Sequence, residues 1–196
     1  DLNDVWGSGQ NDVWVVGVGT TAFRSVDGGK TWTATATYAG AAATRNAIWG
    51  SAANNIYVVG TSGTVVQTTN SGTNWTALPA PAAVTLYGIW GSAANDIYVV
   101  GGSGTISRST TNGLSWTGQT SGTTNTLRGI WGSGANNVFA VGAAGTIVRS
   151  TDSGATWVKA QSNVTNDLYA IRGVAANDYY AVGSSGTVLR STDGTT

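Results

Sequence analysis

The 196-residue sequence predicts an all-β chain built from five related four-stranded units, and three observations carry that prediction. First, the string Val5-Trp6-Gly7-Ser8 returns as Ile48-Trp49-Gly50-Ser51, Ile89-Trp90-Gly91-Ser92 and Ile130-Trp131-Gly132-Ser133, then in altered form as Ile171-Arg172-Gly173-Val174. Second, Trp32, Trp75, Trp116 and Trp157 keep the same register, with spacings of 43, 41 and 41 residues, so a two-residue insertion separates the first unit from the second. Third, each unit alternates short β-branched and aromatic stretches with Gly, Asn, Ser and Ala, the pattern of strands and turns, and no amphipathic helix is visible.

The elements follow in order within a unit. In the third, Leu86–Trp90 reads as an inner strand, Asp96–Val100 as an apolar second strand, Gly104–Arg108 as a third, and Trp116-Thr117 opens the fourth. Four strands in about 41 residues is the size of a propeller blade. The expected fold is therefore a five-bladed antiparallel β-propeller, a single domain with blades at approximately 1–44, 45–85, 86–126, 127–167 and 168–196. Trp14 aligns with Tyr57, Tyr98, Phe139 and Tyr180, so all nine Trp belong to the repeat and are expected to fill equivalent interfaces between blades. The fifth unit ends at Thr196 before its Trp-bearing outer strand, which leaves Gly186–Ser191 as an expected open edge for a strand from elsewhere. Thr33 to Thr44 and Leu78-Pro79-Ala80-Pro81 read as plain connectors.

Composition narrows function. Lys+Arg 9 balances Asp+Glu 9, and charged residues make up 9% of the chain, so there is no basic face for nucleic acid. His and Cys are absent and every acid is Asp, which removes zinc, haem, iron–sulfur, thiol and histidine-triad chemistry. No cofactor and no metal is expected. No run of about 18 apolar residues exists to cross a membrane as a helix. The start at Asp1 rather than Met suggests processing or truncation, and the low-charge, Thr-, Ser- and Asn-rich composition points to an extracellular or cell-surface setting.

The turn before the second Trp reads Ser25-Val26-Asp27-Gly28-Gly29-Lys30-Thr31-Trp32 in the first unit and Ser150-Thr151-Asp152-Ser153-Gly154-Ala155-Thr156-Trp157 in the fourth. This pattern, Ser-x-Asp-x-Gly-x-x-Trp, resembles the Asp-box of the BNR repeat β-propellers, which include sialidase-like and photosystem II stability factor-like proteins. The copies at Thr68–Trp75 and Ser109–Trp116 are degenerate, and the fifth begins Ser191-Thr192-Asp193. The resemblance implies that Asp27, Asp152 and Asp193 stabilise turns on the rim, away from any ligand. A short carboxylate can accept turn amides and Gly29 can supply a positive φ, which agrees with that role.

The sialidase catalytic set does not carry over, because no Glu is present to assist a tyrosine nucleophile and Arg24, Arg108, Arg149 and Arg190 recur as part of the repeat. Packing positions should repeat, so positions that vary are the candidates for function. The start of the inner strand reads Asn3, Asn46, Tyr87, Arg128 and Tyr169, five polar or aromatic groups expected around the channel mouth on the face of the inter-blade linkers. Aromatic faces with amide and guanidinium donors suit a glycan or a peptide. Ring closure would also bring Asp167 near Asp1 and Asp4, with Tyr169 and Arg172 in the same sector, a possible carboxylate or cation cluster. The reading is a non-catalytic extracellular recognition propeller binding a glycan or protein partner. The alternatives are a structural subunit linked by strand donation and a sialidase-like glycoside hydrolase.

Overall fold

A computed structural model describes residues 1–38, 44–175 and 177–193. The first sheet contains β1 (Leu2–Gly9), β2 (Asp12–Gly17), β3 (Phe23–Ser25) and β4 (Thr33–Ala34). The second contains β5 (Arg45–Ala52), β6 (Asn55–Gly60), β7 (Val65–Thr68) and β8 (Thr76–Leu78). The third contains β9 (Leu86–Ala93), β10 (Asp96–Gly101), β11 (Ile106–Ser109) and β12 (Thr117–Gln119). The fourth contains β13 (Leu127–Gly134), β14 (Asn137–Gly142), β15 (Ile147–Ser150) and β16 (Val158–Ala160). The fifth contains β17 (Leu168–Ala175), β18 (Asp178–Gly183) and β19 (Val188–Ser191), with no fourth strand among the described residues.

Each sheet is an antiparallel meander in chain order, and the five form a β-propeller with β1, β5, β9, β13 and β17 innermost. In the three middle blades the second strand is covered on both sides by neighbouring sheets, which is why it reads as a continuous apolar run rather than an alternating one. In β10, Ile97, Tyr98, Val99 and Val100 are all buried. Apolar clusters lie between successive sheets: Trp14, Val16 and Ala22 of the first blade meet Ile48, Ile56, Val58 and Trp75 of the second.

The Trp-Gly dipeptide explains the spacing between blades. A Cβ placed on Gly91 would stand 2.6 Å from Cη2 of Trp49, and one on Gly50 would stand 2.6 Å from Cη2 of Trp6. The indole of each blade therefore lies on the glycine of the next, and any side chain there would push the sheets apart. Trp90 on Gly132 and Trp131 on Gly173 repeat the contact.

The packing runs from the first sheet to the fifth, and among the described residues no comparable interface joins the fifth to the first. Val5 is 58% exposed, whereas its equivalent Ile48 is 4% exposed. Phe23 and Trp32 are exposed on the same face of the first blade. On the far face of the fifth blade, Tyr180 is 38% and Val188 66% exposed, and Arg172 stands where the other blades carry Trp. The expected closure that would place the fifth blade against the first is thus not seen.

The segment from Thr33 is more than a connector, although residues 39–43 of it lie outside the described residues. Tyr38 is buried and packs edge-on to Trp75 with ring centroids 4.7 Å apart. Gly91→Ala is expected to destabilise the fold by about 1–3 kcal/mol in urea unfolding, the usual cost of overpacking. Gly7→Ala, at the equivalent site with no indole lying over it, is expected to cost less.

Candidate functional site

The five varying positions share one backbone device. In every blade the ladder between the first two strands slips by one residue at the same point: Leu86 pairs Gly101 and Gly88 pairs Val100, leaving Tyr87 as the extra residue. Asn3, Asn46, Arg128 and Tyr169 are the extra residues of the other four bulges. A bulge releases one side chain from the pleat and re-aims it, so these positions are free to vary while the neighbouring ones must pack.

Two groups form among them. Asn3 Nδ2 donates to the Arg45 carbonyl at 2.9 Å, and Asn46 Nδ2 donates to the Leu86 carbonyl at 2.7 Å. Each amide ties its blade to the inner strand of the next. Tyr87, Arg128 and Tyr169 come together instead. The Arg128 guanidinium lies 5.5 Å from the Tyr87 ring centroid and 5.6 Å from that of Tyr169, a cation held between two aromatic faces. Its Nη2 reaches Asp167 Oδ2 at 3.4 Å, while its Nε is buried with no hydrogen-bond partner among the described residues. Asp167 in turn accepts from the Ala144 amide at 3.0 Å. That places the group on the side of the inter-blade linkers and the second-to-third strand turns, with Tyr169 50% exposed.

Asp1, Asp4 and Asp167 do not form the expected cluster, and among the described residues no three acidic groups converge to hold a metal ion. Asp4 accepts from the Ile48 and Val5 amides, both at 2.9 Å. Burial pushes its carboxyl up, and the two amides and the Arg172 charge offset this only in part. The repeated arginines are likewise committed: Arg24 pairs with Asp12 at 2.6 Å and lies over Trp14, and Arg108 pairs with Asp96 at 2.7 Å and lies over Tyr98. Arg149 over Phe139 and Arg190 over Tyr180 follow suit. They join the second strand to the third in four of the five sheets, and Gln67 holds the place in the second. Sequence reading missed Arg45, which is buried at a position filled by Leu in the last three blades, with its guanidinium 4.8 Å from the Tyr38 ring.

The polar turns are structural in detail. Asp27 Oδ1 accepts from the Lys30 and Thr31 amides at 3.0 and 2.9 Å, and its Oδ2 accepts from the Thr31 hydroxyl at 2.6 Å. Ser25 Oγ accepts the Gly29 amide at 2.8 Å, with Gly29 at φ 90° as the turn requires. Asp152 repeats the arrangement with Thr156. In the degenerate copies, Asn70 Oδ1 and Thr111 Oγ1 accept the equivalent amides at 2.9 Å, so the geometry survives loss of the charge.

A family model described as the DUF6242 beta propeller domain matches residues 52–170, well over half of the chain. The chain belongs to that family. Among solved structures, YCF48 bound to D1 peptide superposes with a TM-score of 0.74 at 20% identity, over 98% of this chain and 64% of that one. The WD40 beta propeller domain of Doa1 gives a TM-score of 0.76 at 13% identity, over 97% and 64%. The GH74 enzyme of Niastella koreensis gives 0.71 at 21% identity, over 99% of this chain and 30% of the enzyme. The chain therefore spans less than two thirds of each of these structures, and at such identities the likeness is one of fold. No curated protein sequence matches significantly.

Hydrogen bonds from Thr31 hold the Asp27 carboxyl down at about 2, below its ordinary 3.8. A lowered folded value adds stability that is complete above pH 3.8 and is lost as pH falls towards 2. Thermal unfolding should therefore show Asp27→Ala less stable than the parent at pH 6, with the gap narrowing between about pH 4 and pH 2. A gap independent of pH would show that the charge is not what stabilises the turn.

Proposed function

We propose that this chain is a non-catalytic recognition domain that receives an extended peptide of a protein partner on its linker side, with Tyr87, Arg128 and Tyr169 as the receiving surface. The observation that carries the reading is Arg128, a guanidinium stacked between the Tyr87 and Tyr169 rings whose ionic contact to Asp167, through Nη2, is long at 3.4 Å. A carboxylate or a row of peptide carbonyls can take up its terminal N–H donors while the tyrosine rings cover the apolar part of the ligand. Peptide binding is within the reach of this architecture, as YCF48 bound to D1 peptide illustrates.

A glycan is the second reading, favoured by an open groove of about 830 Å³ on the same side, lined by Ser103, Thr105, Gln119, Thr123 and Asn125 among others. Hydroxyls and amides of this kind match sugar hydroxyls. The turns built on Asp27 and Asp152 are assigned to the Asp-box type on their hydrogen bonding, and a setting outside the cell rests on the low-charge composition.

The test is a panel of displayed peptides alongside a glycan array, each repeated with single Ala variants at 87, 128 and 169. Arg128→Ala is expected to weaken the selected ligand at least about tenfold, in the manner of an interface anchor. Arg128→Lys keeps the charge but loses the planar stack, and is expected to recover little of that affinity. Full retention of binding by the Arg128→Ala and Tyr169→Ala variants would overturn the assignment of the surface. Selection of sugars alone would favour the second reading.

A further inference from the structure

Arg45 opens β5 in the seam between the first and second sheets and is only 1% exposed. Leu86, Leu127 and Leu168 hold the same place in the next three blades, each buried in an apolar cluster. One seam thus carries a cation where the repeat elsewhere places a hydrocarbon. The guanidinium lies 4.8 Å from the Tyr38 ring centroid, and Tyr38 is held in turn against Trp75. That stack offsets part of the cost of burying the charge, because the ring face is electron-rich.

The stack leaves the N–H groups unanswered. Nε and Nη1 of Arg45 are buried with no hydrogen-bond partner among the described residues, and the Tyr38 hydroxyl of the same seam is buried without one as well. No carboxylate answers the charge either. Arg24, Arg108, Arg128 and Arg190 each pair with an aspartate, and among the described residues no ion pair includes Arg45. The carboxyl of Asp4, on the neighbouring inner strand, is taken up by the Ile48 and Val5 amides. Burial pushes the Arg45 guanidinium down and the Tyr38 phenol up, the direction for groups removed from water. A guanidinium leaves water at high cost unless its charge and its donors are both met. A water molecule meets the donors but not the charge, and at 1% exposure the group is out of reach of a large ligand.

We propose that Arg45 holds a small monovalent inorganic anion, of the size of chloride, buried between the first and second blades. The anion accepts from the guanidinium N–H groups that Tyr38 does not cover and neutralises the charge, so that this seam closes as the leucine seams do. It is a structural ion: its occupancy raises the stability of the first two blades against each other. The site does not depend on the reading of the Tyr87–Arg128–Tyr169 surface.

Two measurements on the whole protein test it. Thermal unfolding is followed as sodium chloride replaces sodium gluconate at constant ionic strength, and crystals grown in bromide are examined by anomalous diffraction. A saturable rise of about 2–4 °C in the unfolding midpoint is expected with chloride, and a bromide is expected against the Arg45 guanidinium. Arg45→Leu, which installs the residue of the last three blades, is expected to lose both. The bromide measurement on the parent needs no substitution, so it decides the matter if that variant does not fold. Water alone beside the guanidinium in bromide, no rise with chloride, or an equal rise in the parent and Arg45→Leu would each overturn the proposal.

Discussion

The contact on which the rest of the structure depends is the indole of one sheet resting on the glycine of the next. It sets the distance at which Trp6 meets Gly50 and Trp49 meets Gly91, and so lets the second strand of the sheet between them be covered on two faces. No single blade has a core of its own. The apolar side chains of a sheet are buried only on a face that a neighbour covers, the condition of repeat proteins generally. The same dependence accounts for the two end blades, where Val5 and Val188 repeat the core pattern and yet face outward.

Variation is separated from this framework by the β-bulge at the start of every inner strand. Residues that repeat are held by repeat contacts: Arg24 and Arg108 by aspartates and aromatic rings, Asp27 and Asp152 by turn amides. The bulged residue has no packing duty common to all blades. In the first two blades it is an asparagine tied to the neighbouring backbone, and in the last three it becomes a tyrosine–arginine–tyrosine set. One framework thus carries three kinds of side chain over five equivalent positions.

Much of the fold was legible because the repeat is strict. The register of Trp6, Trp49, Trp90 and Trp131 with Trp75, Trp116 and Trp157 places every strand to within a few residues. Why glycine follows the tryptophan was not legible, since the reason is a contact with the previous blade rather than anything local. Tyr38 and Arg45 were missed for a related cause: they break the repeat, and only the fold brings Tyr38 onto Trp75 and the Arg45 guanidinium onto Tyr38. Variation marked the five positions that prove to be β-bulges, but not the split between the two clamping asparagines and the stacked trio. The acidic cluster failed because it assumed contact between the fifth and first blades, and two of its three carboxylates found partners nearer by: Asp4 in the second blade, Asp167 in the fourth.

If each sheet is stable only when covered on both faces, protection of its amides should follow its place in the row. Native-state hydrogen exchange reads this directly, residue by residue. Exchange should be slowest in Ile56–Val59, Ile97–Val100 and Val138–Val141, and at least about tenfold faster in Val13–Val16 and Tyr179–Val182, whose sheets have one face open. Equal protection of the second strands in all five blades would contradict the dependence of each sheet on its neighbours.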